Sequence, residues 1–255
     1  MKASLFRPVS YKHLNRFGSS NDGGYILPTD IPLDYLLSMG LGHNWDFERE
    51  LIEKQIVKSF VVYDHTVSMN YFLRNVLSGL RFLPREPMIL IHRLKLLAGY
   101  MRFFSFRKNH IKKRVTSVSD ATFDSQDIDK VLNHVESIYK SLVVKVDIEG
   151  DEYKIIDGIL KHEQRITVLV IEFHSILKLF ELFSESLNLI QESYTLVHCH
   201  FNNFAPISSM GIPDVAEMTF VRSELVKTRE LRRFLPVEYL DAPNSKKRPD
   251  HAITW

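Results

Sequence analysis

A single cysteine, Cys199, among 255 residues excludes an internal disulfide framework and fits a reducing compartment. Glycine and proline number only ten each, which excludes fibrous and low-complexity classes. No run approaches the roughly 18 uncharged apolar residues of a membrane span. The amino end, MKASLFRPVSYKHL, lacks the continuous apolar core of a signal peptide, so the expected location is cytoplasmic. A dominant charge is missing too: 33 Lys and Arg against 31 Asp and Glu leave +2, too little to point to nucleic acid. What remains is an ordinary globular composition, 45% hydrophobic and 25% charged, long enough for one substantial core. We therefore expect one domain over 1–255, with an amino-terminal cap or hairpin over 1–34.

The charge is unevenly spread. Leu80 to Arg114 holds ten Lys or Arg and one acid, Glu86, interleaved with Phe82, Tyr100, Phe103, Phe104 and Phe106. Residues 80–114 read as a basic helical insertion. A solvated helix face over a core stripe is the plain account. Three ligand readings stand beside it: a lid for a nucleotide diphosphate, a surface approaching anionic lipid at the inner face of the membrane, and, third, single-stranded nucleic acid.

From about residue 35, short apolar runs alternate with longer amphipathic ones. DYLLSMG, FVVYD, RVTSVSD, SLVVKVD and ITVLVIEFH read as strands separated by helices, and YTLVHCHF and AEMTFVRSEL as a closing pair without a full helix between them. Near-continuous apolar strands mean a mostly parallel sheet covered on both faces, with an antiparallel strand at one edge. The pattern predicts an open, doubly wound α/β fold of about seven strands, too few for a barrel. In such sheets ligands bind beyond the carboxyl ends of the strands.

The polar residues collect at those ends. Gly40 and Gly42 permit a tight turn after the first parallel strand, although Trp45 stands where a dinucleotide site would want a third glycine. Asp64 ends the next strand, placed to accept from ribose hydroxyls, with helix capping as the alternative. Alternation along strands puts Lys145, Asp147 and Glu149 on one side, Glu172 and His174 on one side, and His198 and His200 on one side. If the strands are neighbours these groups converge as a general base, as a cation site, or as structural ion pairs. Asp151 and Glu152 are expected to favour the next helix start. In RFGSSNDGGYILP, Asp22 and Gly23 mark a hairpin turn that could fold over a ligand.

Together RFGSSNDGGYILP, LLSMGLGHNWDFE, VVYDHT, VVKVDIEGDEYKII, VLVIEFH, HCHFNNF and IPDVAEMTFVR resemble the FkbM-type S-adenosylmethionine-dependent methyltransferases, especially the sugar and polysaccharide O-methyltransferase branch. The likeness runs in order from about residue 16 to about residue 250, and KVDIEGDE is its strongest element. It implies a seven-stranded Rossmann-like methyltransferase fold with S-adenosylmethionine over the strand ends. Gly40 and Gly42 would meet the methionine part, Asp64 the ribose and Asp120 the adenine, with Asp22 and Gly23 closing over the cofactor. The family's usual Asp-x-Gly-Ala-Asn-x-Gly is replaced here by Ser38, Met39, Gly40, Leu41, Gly42. Asp147, Glu149, His174 and His200 would line the reaction site or hold a divalent metal, and Glu172, His198, Asn202 and Glu217 would bind the sugar or nucleotide-sugar acceptor. Two competing classes remain: a metal-dependent glycosyltransferase using Asp127 and Asp129, and a non-catalytic membrane-surface protein using the basic segment.

Overall fold

The computed structural model describes residues 2–83, 85–104, 109–118, 124–209 and 211–255, with side chains from residue 4 onward. The strands are β1 (Leu14–Gly18), β2 (Gly24–Pro28), β3 (Tyr35–Met39), β4 (Ser59–Tyr63), β5 (His110–Ile111), β6 (Arg114–Thr116), β7 (Ser125–Asp127), β8 (Leu142–Val146), β9 (Ile166–Phe173), β10 (Tyr194–Phe201), β11 (Ala216–Arg222), β12 (Phe234–Leu235) and β13 (Ile253–Thr254). The α-helices are α1 (Asp46–Glu53), α2 (Met69–Gly79), α3 (Pro87–Phe104), α4 (Ile128–His134), α5 (Glu152–Leu160) and α6 (Phe180–Ser193).

Seven strands form the main sheet in the order β10-β11-β9-β8-β3-β4-β5. β3, β4, β5, β8 and β9 pair in parallel, whereas β11 is antiparallel to both β9 and β10. This is an open, doubly wound, Rossmann-like α/β sheet. The expected edge hairpin is present, but its inner strand, β11, is the antiparallel one and the outermost, β10, runs with the rest. β8 and β9 are buried at every position because helices and loops cover both faces. That is why their sequences are continuous apolar runs rather than alternating ones.

RVTSVSD is not the third parallel strand. The sheet edge is the two-residue β5, while β6 pairs with β7 in a separate two-stranded ladder. β5 is too short to carry a periodic signal. The basic segment contains a helix, α3, which begins at Pro87, a residue that suits a helix's first turn. Its inner face is aromatic: Trp45 meets Phe72, Tyr100 and Phe104 at ring-centroid distances of 5.9, 6.0 and 6.0 Å, and Phe60 stacks on Phe103 at 5.3 Å. Trp45 thus pins α2 and α3 to the sheet edge from the position where a dinucleotide fold wants glycine. The amino-terminal hairpin β1–β2 packs against α1, β9 and β11, tied down by the Thr219 hydroxyl donating to the Ile26 carbonyl at 2.7 Å.

Candidate active site

A cleft of about 1010 Å³ opens over the carboxyl ends of β3, β4 and β8. Its strand-end lining is acidic, with Asp22, Glu48, Asp64, Asp147 and Glu149, whereas α3 and the segment after it contribute His92, Arg93, Lys113 and Arg114.

The glycine turn after β3 is fixed from two sides. Gly40 has φ +88°, and a Cβ there would lie 1.7 Å from the Asp147 carbonyl oxygen, so no side chain fits. Lys145 Nζ donates to the Gly40 carbonyl at 2.7 Å. Asp64 Oδ2 accepts from the amides of Leu41 and Gly42 at 2.8 and 3.0 Å, and Oδ1 accepts from the Thr66 amide and hydroxyl, both at 2.6 Å, and from the Val67 amide at 3.3 Å. Burial alone would raise this carboxyl; the hydrogen bonds from Thr66, Gly42 and Leu41 outweigh it and hold the pKa below the usual range. Asp64 lines the cleft, and its carboxylate holds the turn through five donors, with which a ribose hydroxyl would share it. Asp120 lies outside the described residues.

Next to the turn is a buried charge network. Lys145 is enclosed beneath the cleft, 3.6 Å from Asp147 Oδ2 and 3.8 Å from Glu48 Oε1. Desolvation works against its charge, yet Asp147, Glu48 and Glu172 outweigh that and raise its pKa. Glu48 accepts from the Ser38 hydroxyl at 2.6 Å, and burial raises its carboxyl. Tyr25, from β2, donates to Asp147 Oδ2 at 2.9 Å and reaches Glu172 Oε2 at 3.3 Å. Burial, then Asp147 and Glu172, push its phenol well above the usual range, so it remains a donor.

His174 gathers the acids beyond β8 and β9. Its Nδ1 is 2.6 Å from Glu152 Oε1, while Nε2 faces Glu149 Oε2 at 3.6 Å, Glu172 Oε1 at 3.8 Å and Asp147 Oδ1 at 4.0 Å. Burial would lower the imidazole; Glu152, Glu172 and Asp147 outweigh it and raise the pKa to about 9. The ring is therefore a cation at neutral pH. One ligand atom each of Asp147, Glu149 and His174 lies within 4.8 Å of the others. These donors suit a divalent cation, and the Glu152 carboxylate behind Nδ1 is the support that a metal-ligating imidazole takes. Glu149 does not arrive by strand alternation: β8 ends at Val146, and Glu149 adopts φ +57°, with its side chain 85% exposed at the mouth.

Glu152 corrects the sequence reading. It opens α5, but its side chain turns away from helix capping, taking the Gly150 amide at 3.0 Å and His174. Glu152 Oε2 is buried with no hydrogen-bond partner among the described residues. Asp151 pairs with Arg114 and with Lys154, the latter at 2.6 Å, rather than capping. Both missed acids carry a signal in the sequence. Glu48 precedes Leu51 by three, and Glu152 shares the i, i+3, i+4, i+7 face of Ile155, Ile156 and Ile159, so each stands on the buried side of its helix.

The structure separates the remaining residues from this cluster. Glu172 and Glu217 are register partners, as are Glu217 and His200, so a polar row crosses β9, β11 and β10. Its far end is closed. His200 is 1% exposed, with Nδ1 3.3 Å from Glu217 Oε2 and Nε2 2.9 Å from Asp250 Oδ2. Burial would lower its pKa, but Asp250 and Glu217 raise it to about 10. Both nitrogens are engaged, so His200 joins neither the reaction site nor a cation there. His198 is 3.0 Å from Asp241 Oδ1, close but misaligned for a hydrogen bond, and lines no part of the cleft. Burial would raise Asp241; the facing His198 outweighs it and holds that carboxyl at about 2.

Glu172 accepts from Asn202 at 3.0 Å, and burial, then Asp147 and Glu217, push its pKa well up. Glu172, Asn202 and Glu217 are buried and stand outside the cleft lining. Asn244 bridges Glu217 Oε1 at 2.7 Å to Asp22 Oδ1 at 3.3 Å, and burial raises Asp22. Asp22 and Gly23 do border the cleft. Asp127 accepts from the Asp129 and Lys130 amides at 2.8 and 3.4 Å and caps α4; Asp129 pairs with Lys161 and His162, each at 3.2 Å. Neither lines the cleft.

No family model matches the chain, and no curated protein does. Solved structures with a similar chain path include an rRNA methylase from Streptococcus thermophilus (11% identity, 75% of this chain and 87% of that one, TM-score 0.39). TrmK of M. capricolum in complex with S-adenosyl-homocysteine (12%, 74% and 62%, 0.36) is similar too, as is spermidine synthase from Thermotoga maritima (8%, 82% and 57%, 0.40). This chain spans less than two thirds of the latter two. Similarity at this level says nothing about substrate.

Proposed function

We propose that the protein is an S-adenosylmethionine-dependent O-methyltransferase acting on a sugar hydroxyl, with a nucleotide-linked sugar or a capsule or lipopolysaccharide unit as the acceptor class. The observation that carries this reading is the meeting of Gly40, Tyr25, Asp147 and Glu149 at the acidic end of one large cleft, with His174 beside the last two. A sulfonium and an α-amino group are cations, and five carboxylates line the cleft to complement them. The opposite lining, with His92, Arg93 and Lys113, suits an anionic acceptor such as a diphosphate-linked sugar.

Methyl transfer forms an oxygen–carbon bond as the carbon–sulfur bond breaks, and the hydroxyl proton leaves to a base. His174, with its pKa at about 9, already holds a proton at neutral pH, so a carboxylate beside it, Asp147 or Glu149, is the acceptor this geometry favours. His174 then aligns the hydroxyl and balances the carboxylates. A divalent cation held by Asp147, Glu149 and His174 would supply Lewis-acid polarisation of the hydroxyl. It would compete with the imidazole proton for the same lone pairs.

The test is incubation with S-adenosylmethionine and a panel of nucleotide sugars, with and without EDTA, read by mass spectrometry. A methyl gain on a sugar, lost in Asp147→Asn, is expected. Formation of S-adenosylhomocysteine only with amine or RNA acceptors would contradict the sugar-hydroxyl reading.

A further inference from the structure

The hairpin formed by α2 and α3 has an outward face unlike the rest of the surface. Nine of the nineteen exposed large apolar side chains among the described residues fall between Leu73 and Met101. On α2 and the turn that follows it they keep helical spacing, Leu73, Leu77 and Leu80. Along α3, Ile91, Leu94 and Met101 are exposed, with exposed Ala98 completing the i, i+3, i+7, i+10 stripe. Leu77 and Met88 are 65% and 68% exposed, well beyond what packing within the chain explains. The inner face is already satisfied by Tyr100, Phe103 and Phe104. The hairpin is also held rigid: Arg93 donates to the Asn75 carbonyl at 2.7 Å and lies 5.6 Å from the Phe82 ring centroid.

Charge selects the occupant. From residue 69 to 104 there are six Lys or Arg and one acid, Glu86, and exposed Arg81, Arg85, Lys95 and Arg102 flank the apolar stripes. A second copy related by two-fold symmetry would bring those cations against one another. Single-stranded nucleic acid stacks on exposed aromatics, whereas this face is aliphatic and its exposed ring, Phe82, already carries Arg93. An anionic bilayer supplies both an apolar layer and negative charge. No helix among the described residues is long and apolar enough to cross a membrane, so the contact would lie in the interface plane.

We propose that the α2–α3 hairpin docks on an anionic lipid surface, its aliphatic stripes entering the interface and Arg81, Arg85, Lys95 and Arg102 meeting headgroups. His92, Arg93 and Leu96 of the same hairpin line the cleft, so docking sets the cleft mouth beside the bilayer. The proposal does not depend on the methyl-transfer reading.

Co-sedimentation of the full chain with phosphatidylcholine vesicles, with and without phosphatidylglycerol, tests it. Retention by the anionic vesicles, weakened by added salt, is expected. Both Leu77→Glu/Ile91→Glu/Met101→Glu and Arg81→Ser/Arg85→Ser/Lys95→Ser/Arg102→Ser should lower the partition coefficient by about tenfold or more. Circular dichroism should report folded protein in each case, because every altered side chain is exposed. Absence of retention, or retention indifferent to both variants, overturns the proposal. So does a concentration-dependent dimer, or single-stranded RNA binding, that the same variants abolish in place of vesicle binding.

Discussion

Two regions of this protein are built from the same residue types at the same spacing and come to opposite ends. At the cleft, His174 lies 3.6 Å from Glu149 and 4.0 Å from Asp147, with Asp147 a quarter exposed and Glu149 largely so. At the far side of the sheet, His198 and His200 meet Asp241, Glu217 and Asp250, and the segment from 234 to 254 seals them. The first group is close without being closed; the second is buried, with both nitrogens of His200 engaged. Spacing of two places side chains on one face of a strand. What covers that face decides whether they are available for chemistry.

Breaking the open cluster should hurt activity most. Asp147→Asn is expected to lower methyl transfer about a hundred- to ten-thousandfold. Stability should change by only about 1 kcal/mol, since the amide still accepts from Tyr25. Initial rates and a thermal melt on the same preparation check both parts. Breaking the closed cluster should do the reverse: His200→Ala leaves Glu217 and Asp250 without their shared cation and should cost about 3–5 kcal/mol in urea unfolding. The variant's remaining folded fraction should turn over normally.

Glu152→Gln sharpens the comparison. It removes the charge behind His174 Nδ1, so the His174 pKa should fall from about 9 and activity should drop about ten- to a hundredfold. NMR titration of the imidazole separates this from simple loss of packing. The smallest effect is on pH dependence. His174 and His200 are raised in the folded state to about 9 and about 10 from an ordinary 6.5. Their stabilisation is complete below pH 6.5 and is lost as pH rises through those values. Thermal midpoints should therefore decline from pH 7 to 10, less steeply in His200→Gln.

The mostly parallel sheet was legible because β3, β4, β8 and β9 are apolar runs between helical patterns, which a sheet covered on both faces requires. β5 was not, since two residues have no period. In the site, the strand-end glycines, Asp147 and His174 could be read from position along strands, whereas Glu149 reaches the cluster through a left-handed residue beyond the end of β8. Glu48 was passed over and Glu152 was read only as a helix-start acid because acids in a helix are usually solvated, although their helix faces placed them inward. The closure over His200 depends on Asp250, fifty residues away in an aperiodic segment, and local sequence carries no trace of such a contact.

The central claim is that the open cluster belongs to a cofactor cleft and the closed one does not. Calorimetric titration of S-adenosylhomocysteine into the full chain tests it most directly. The account predicts saturable binding at one site per chain that persists in His200→Gln. Absence of saturable heat from protein shown to be folded would contradict it.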